Sequence, residues 1–175
     1  MGAGTGDLAR EALRLQPETK VVAVDFTLEM MRLGRQYGLL DWSAADALHL
    51  PFAEGTFEAV VSGFLMRNVG DIQQALNEQS RVLKSGGRVV ILDTTRPRRS
   101  LLSPLIWVYM HIVIPLVGGL IAGSRDAYTY LPDSTENYLD AEELSACMAE
   151  AGFEKIDFRY RMFGMIAIHW GEKGS

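Results

Sequence analysis

Hydrophobic positions along the chain fall into two rhythms. Short apolar runs occupy Lys20-Val21-Val22-Ala23-Val24-Asp25, Phe57-Glu58-Ala59-Val60-Val61-Ser62 and Arg88-Val89-Val90-Ile91-Leu92-Asp93. Each is short enough for a buried strand, and each ends in a polar side chain. Between them, apolar residues recur at helical spacing: Leu8, Ala12 and Leu15 in 7–15, then Leu28 to Tyr37, then Ile72, Ala75, Leu76, Val82 and Leu83. Leu39 to Ala45 is a poor strand candidate, and Pro51 breaks regular structure after it. Near the C-terminus, Leu144, Cys147, Met148 and Ala151 share a helical face. Phe153 to Tyr160 and Met162 to Trp170 then read as an antiparallel pair at a sheet edge.

Local signals place the boundaries. Thr27 can cap the second helix, with Gly38 as its stop. Asp71-Ile72-Gln73-Gln74 and Asp140-Ala141-Glu142-Glu143 read as capping boxes, in which an acid accepts from the first turn and a side chain three residues on reaches back. Ser85-Gly86-Gly87 ends the third helix, and Gly152 the last. Strands alternating with helices of this length predict an α/β fold on a parallel sheet, in one domain over 1–175.

One stretch breaks the alternation. From Leu101 to Ala122 the only titratable side chains are His111 and Tyr109. The run is long enough to span a bilayer, which takes about 20 apolar residues. Topology argues against a span, because strands on both sides of it belong to one sheet. We read 100–137 as a helical lid insert, covering a site or lying on a membrane surface with Arg96, Arg98 and Arg99 near the headgroups. Ordinary core is the alternative.

Composition narrows the classes. The 175 residues are 48% hydrophobic, enough for a core, so disorder is not expected. A net charge of −5 argues against a broad nucleic-acid surface. The single cysteine, Cys147, excludes an internal disulfide framework and reads as core; no Cys/His spacing suggests a metal. A reducing, cytoplasmic compartment fits.

The candidate chemistry lies at the start. Met1-Gly2-Ala3-Gly4-Thr5-Gly6-Asp7 puts three glycines in five positions, so peptide N–H groups can approach a ligand where a side chain would obstruct. Loop, helix, strand and terminal Asp25 make half of a nucleotide-binding βαβ unit, with a carboxylate placed for two ribose hydroxyls. A tight turn without a ligand is the bland alternative. Such a loop follows a strand, and none precedes this one. We therefore expect Met1 to be a fragment boundary or an internal valine codon read as a start, and the strands ending at Asp25 and Ser62 to flank a gap or to close on each other where the first strand would lie; a permuted or minimal fold without that strand is the alternative.

This order of motifs resembles class I S-adenosylmethionine methyltransferases: the glycine loop, Val-Ala-Val-Asp, and Leu83-Lys84-Ser85-Gly86-Gly87-Arg88 before a strand. Within that superfamily four stretches are similar to the ubiquinone/menaquinone biosynthesis C-methyltransferases of the UbiE/MenG type. They are Arg67-Asn68-Val69, Tyr128-Thr129-Tyr130-Leu131-Pro132-Asp133-Ser134, Ala149-Glu150-Ala151-Gly152-Phe153 and Ala167-Ile168-His169-Trp170-Gly171. The chain departs from the pattern in lacking the first strand, in carrying Ser85 where proline is usual, and in the apolarity of its insert.

The resemblance implies a Rossmann-like sheet with a reversed last strand, and S-adenosylmethionine as cofactor. By position, Gly2, Gly4, Thr5 and Gly6 would line its methionine and ribose parts. Asp25 would hold the ribose diol, Phe26 would lie beside the adenine, Asp46 would accept from the adenine amino group with Ala47 adjoining, and Ser62 would sit near the methyl. It implies methylation of a ring carbon of a prenylated quinol. Arg67 would stabilise the phenolate, Asn68 would orient a quinol hydroxyl, and Tyr128, Tyr130 or, less aptly, His111 would relay the proton. The implied partners are the quinol and a peripheral membrane contact through 101–123, at the inner face of the membrane; a homodimer is compatible. Three alternatives stay open: a methyltransferase for another small phenol or lipid, an NAD-dependent oxidoreductase, whose third glycine lies one position later than Gly6, and a non-catalytic remnant.

Overall fold

The computed structural model describes residues 1–38, 41–96 and 138–174. In chain order its main elements are α1 (Asp7–Leu15), β1 (Val22–Asp25), α2 (Leu28–Gly34), β2 (Asp41–Ala44), β3 (Phe57–Gly63), α3 (Ile72–Val82), β4 (Leu83–Thr94), α4 (Ala141–Glu150), β5 (Phe153–Arg161) and β6 (Ile166–Lys173). The insert expected over 100–137 lies outside the described residues.

The larger sheet has the order β3-β4-β6-β5. β3 and β4 run parallel, from Ala59 beside Arg88 to Gly63 beside Leu92. β6 is antiparallel to both neighbours, so the reversed strand is interior and β5 forms the edge. Residues Lys84 to Gly87 loop out of the β3–β4 register as a bulge, with Gly86 at φ +73°. The helix before it therefore ends at Val82 rather than at the glycines.

Two expectations are corrected here. Leu39 to Ala45, read as a poor strand, contains β2, which pairs in parallel with β1 from Val22–Asp41 to Asp25–Ala44. Propensity mattered less than the partner edge that β1 offers. Nor do the three parallel strands share one hydrogen-bonded sheet: β1 and β2 form a separate pair. Between β1 and β3 lies an opening with no ladder across it among the described residues. The first residues bridge only its upper end. The Met1 nitrogen donates to the Val61 carbonyl at 2.6 Å, and the Ala3 N–H to the Val24 carbonyl at 3.0 Å. Below them is an apolar cavity of about 50 Å³ lined by Val22, Val24, Phe57, Ala59, Val60 and Val82, among others.

The core lies between the larger sheet and α3 and α4. Alternation along β4 sends Val89 and Ile91 inward against Leu76, Val82, Leu144 and Met148. Cys147 packs at the margin of this core, and burial raises its thiol pKa. α4 carries a complete capping box: Asp140 accepts from the Glu143 N–H while the Glu143 carboxylate accepts from the Asp140 N–H, both at 2.8 Å. On α3 the box is half made. Asp71 accepts from the Gln74 N–H at 2.9 Å, but the Gln74 amide donates to the Leu48 carbonyl instead. α1 forms where its formers predict, yet buries none of its residues; Leu8 and Leu15 stay exposed.

Candidate functional site

Three parallel strands, β1, β2 and β3, carry their carboxyl ends towards one cavity of about 650 Å³. That volume is within the range of small-molecule sites, and the position is where open α/β sheets bind ligands. Its walls come from the glycine loop, the 25–30 and 45–48 segments, and the 63–70 segment after β3.

The glycine loop folds as its composition demands. Gly2, Gly4 and Gly6 all have positive φ, at 60°, 55° and 88°. A side chain on Gly2 would press on Leu65, with a Cβ 3.1 Å from that residue's own Cβ. At Gly4 a Cβ would meet nothing within 4 Å, so this backbone faces open cavity. Asp25 braces the loop: one carboxylate oxygen accepts from the Gly4 N–H at 2.7 Å and the other from the Thr27 N–H at 2.8 Å. A carboxylate has roughly four acceptor positions. Two are used by these peptides, and the remainder suit a vicinal diol. Asp46 is held by an Asx turn onto the Leu48 N–H at 2.9 Å. Phe26 stands on the rim, largely exposed.

The opposite wall carries the charge. The short helical turn Met66–Asn68 holds Arg67 against the cavity with its side chain 14% exposed. Its guanidinium lies over the Phe64 ring, 5.1 Å from the centroid. Among the described residues, neither Nε nor Nη1 of Arg67 has a hydrogen-bond partner. Asn68 donates from its amide to the Phe64 carbonyl at 2.8 Å, which closes the turn. Asp93, at the end of β4, lies behind Arg67; burial raises its carboxyl pKa, an effect that the Thr94 N–H and the Arg67 charge partly offset.

Of the residues singled out in the sequence, Gly2, Gly4, Asp25, Phe26, Asp46, Ala47, Arg67 and Asn68 line this one cavity. Thr5 lines an adjoining cleft, and its hydroxyl donates to Asp7 at 2.9 Å. Gly6 is buried as the N-cap of α1. Ser62 is a correction. It is fully buried, because the alternation of β3 turns it to the core side with Val60. Gly63 and Phe64 take its place on the wall. Tyr128, Tyr130 and His111 lie outside the described residues. Phe64 escaped the sequence reading: nothing local marks a phenylalanine that takes φ 55° at a cavity. Asp93 carried a signal, an acid on the inward-facing phase of an apolar strand.

The family model described as the ubiE/COQ5 methyltransferase family matches residues 1–173, across both sheets. The chain belongs to this family. It is accordingly an S-adenosylmethionine-dependent methyltransferase. The "Ubiquinone/menaquinone biosynthesis C-methyltransferase UbiE" of Desulfotalea psychrophila is 42% identical over 176 residues, which are 99% of this chain and 72% of that protein. The "Demethylmenaquinone methyltransferase" of Roseiflexus castenholzii is 40% identical over 178 residues, 99% of this chain and 74% of the relative. Among solved structures, a SAM-dependent methyltransferase from Thermotoga maritima, a possible histamine N-methyltransferase by its description, superposes with a TM-score of 0.67 at 21% identity. That comparison covers 99% of this chain and 79% of the other. It establishes the class I methyltransferase fold, so the split between β1 and β3 interrupts one such sheet and does not mark a different architecture. The glycine cradle and the spare acceptor positions of Asp25 fit S-adenosylmethionine.

Proposed function

We propose that this methyltransferase methylates a ring carbon of a prenylated quinol, such as demethylmenaquinol or a ubiquinone precursor, in quinone biosynthesis. The observation that carries the reading is one cavity whose two walls differ in chemistry: Gly4, Asp25 and Asp46 on one, Arg67 and Asn68 on the other. S-adenosylmethionine would supply an electrophilic methyl: a ring carbon would take it, the sulfur keeping the electron pair of the broken carbon–sulfur bond, and the hydrogen on that ring carbon would leave as a proton to restore aromaticity. The chain's own work is alignment and charge. Asp25 and the glycine loop would hold the ribose and methionine parts in place, and alignment of this kind supplies much of the rate. Arg67 would stabilise the quinol oxygen as it loses its proton, and it does so from a buried position where a charge acts strongly. Arginine is a poor base, so water or a tyrosine such as Tyr128 or Tyr130 would carry that proton.

Among the described residues no helix is long and apolar enough to cross a membrane. We infer a cytoplasmic enzyme that meets the inner face of the membrane through 101–123, with the arginines before that segment adding about 1 kcal/mol each if they reach an anionic surface. The test is methyl transfer to a reduced, long-chain demethylated quinone beside a short soluble phenol, with liposome flotation of the same protein. We expect ring methylation of the prenylated quinol and reversible flotation that is lost when 101–123 is deleted. Equal turnover of the soluble phenol, or flotation and methylation unchanged by the deletion, would favour a general small-molecule methyltransferase.

A further inference from the structure

The end of β4 places a carboxylate where the alternation of the strand calls for an apolar residue. Val89, Ile91, Asp93 and Thr95 all point inward, and Asp93 is 1% exposed. A buried charge without compensation is expensive, so its partners define its purpose. One oxygen accepts from the Thr94 N–H at 2.8 Å, and the other lies 3.4 Å from the Arg67 N–H. The Arg67 Nε is 3.9 Å from the first oxygen, inside ion-pair range but too long for a hydrogen bond. The phenol of Tyr138 is buried close by, and the Asp93 charge adds to the burial that raises its pKa. Asp93 itself lines none of the cavities described above. Arg67 lines the main one, with Phe64 under its guanidinium.

We propose that Asp93 is a positioning residue for Arg67: a carboxylate anchored on the β4 backbone that holds the buried Nε side of the guanidinium, keeps the group against Phe64 and so fixes which edge of it faces the methyl acceptor. The proposal rests on the reading that Arg67 faces the acceptor. It adds that this orientation comes from the adjacent strand and not from the 66–68 turn alone. A charge fixed at the far side of a guanidinium restrains a flexible side chain at a preset angle, whereas the Phe64 face restrains only its height.

Two readouts test it, one of them independent of turnover. The first is the Arg67 Nε–H resonance in the nitrogen-15 labelled protein. It should exchange slowly with solvent in the wild type and at least about tenfold faster in Asp93→Asn, which removes the charge with little change of shape. Asp93→Glu, which displaces the carboxylate by one carbon, keeps the charge and should shift the resonance with less loss of protection. If Asp93→Asn does not fold, Asp93→Glu carries the test alone, and an unmoved resonance there overturns the proposal. The second readout is a double-mutant cycle with Arg67→Met on quinol methylation. Asp93→Asn should lower kcat by about tenfold or more, with the Kd for S-adenosylmethionine within twofold, and should cost little further in the Arg67→Met background. Additive losses, or an unchanged Arg67 resonance, overturn the inference. If Arg67→Met leaves kcat intact while the resonance still depends on Asp93, the positioning stands and the catalytic reading of Arg67 falls.

Discussion

Asp25 shows how much one side chain contributes when the backbone delivers it to the end of a strand. Its two oxygens already hold the Gly4 and Thr27 N–H groups, so the same carboxylate shapes the cradle and would have acceptor positions left for a ribose diol. Asp25→Ala should weaken S-adenosylmethionine binding by about tenfold or more, since hydrogen bonds to a charged group are worth roughly 1.5–3 kcal/mol. Titration calorimetry reads this directly, and an unchanged Kd would remove Asp25 from the site. The place of Asp25 beside the glycine loop was legible in the sequence, because an acid closing an apolar run after such a loop ends its strand at the loop's side of the sheet. Ser62 looked equivalent at the end of its own run, but strand parity decides between cavity and core, and parity depends on where pairing begins. The register of β3 on β4, with its bulge at Lys84 to Gly87, is set by contacts between strands that no local pattern records.

At the level of elements, α4 illustrates a helix that the chain specifies twice. Its capping box was legible, because both partners lie within four residues. Its docking contact was not: His169 of β6 is 1% exposed, and its Nε2 lies 2.9 Å from the Ala141 carbonyl, 28 residues away in sequence. Nε2 must carry the proton to donate there, which leaves Nδ1 bare, buried and without a partner among the described residues. Protonating Nδ1 would bury an N–H with no acceptor, and burial accordingly lowers the imidazole pKa from its usual value. The unfolded chain takes up that proton near pH 6.5 while the folded chain resists it. The contribution is therefore complete above about pH 6.5 and is lost as pH falls from there through the lowered folded pKa. His169→Gln keeps a donor for Ala141 and removes the titration. The melting temperature of the wild type relative to this variant should drop as pH falls from about 6.5 to 5. A difference that stays constant with pH would show that His169 does not titrate against the fold.

For the whole molecule, the opening between β1 and β3 carries an expectation about stability and association. Two parallel edges face it without a ladder between them, and the bonds made by Met1 and Ala3 occupy only its upper end. The lining is apolar on both sides, the surface that a strand covered on both faces would meet in a parallel sheet. Unpaired apolar edges are templates for association with other chains. A segment added upstream of Met1 would have room along Val24 and Val22 on one side and Ala59 and Phe57 on the other, parallel to both. At about 3.3 Å per residue, roughly five apolar residues would fill that length. Fusing such a segment upstream of Met1 should raise the melting temperature and suppress concentration-dependent aggregation. The same segment with proline at its centre should do neither, because proline removes a ladder donor. Light scattering and thermal melts at matched concentrations decide it. If the 175-residue chain is monodisperse and heat-stable, or if the proline segment works as well as the apolar one, the opening is not a strand site and its apolar lining needs another explanation.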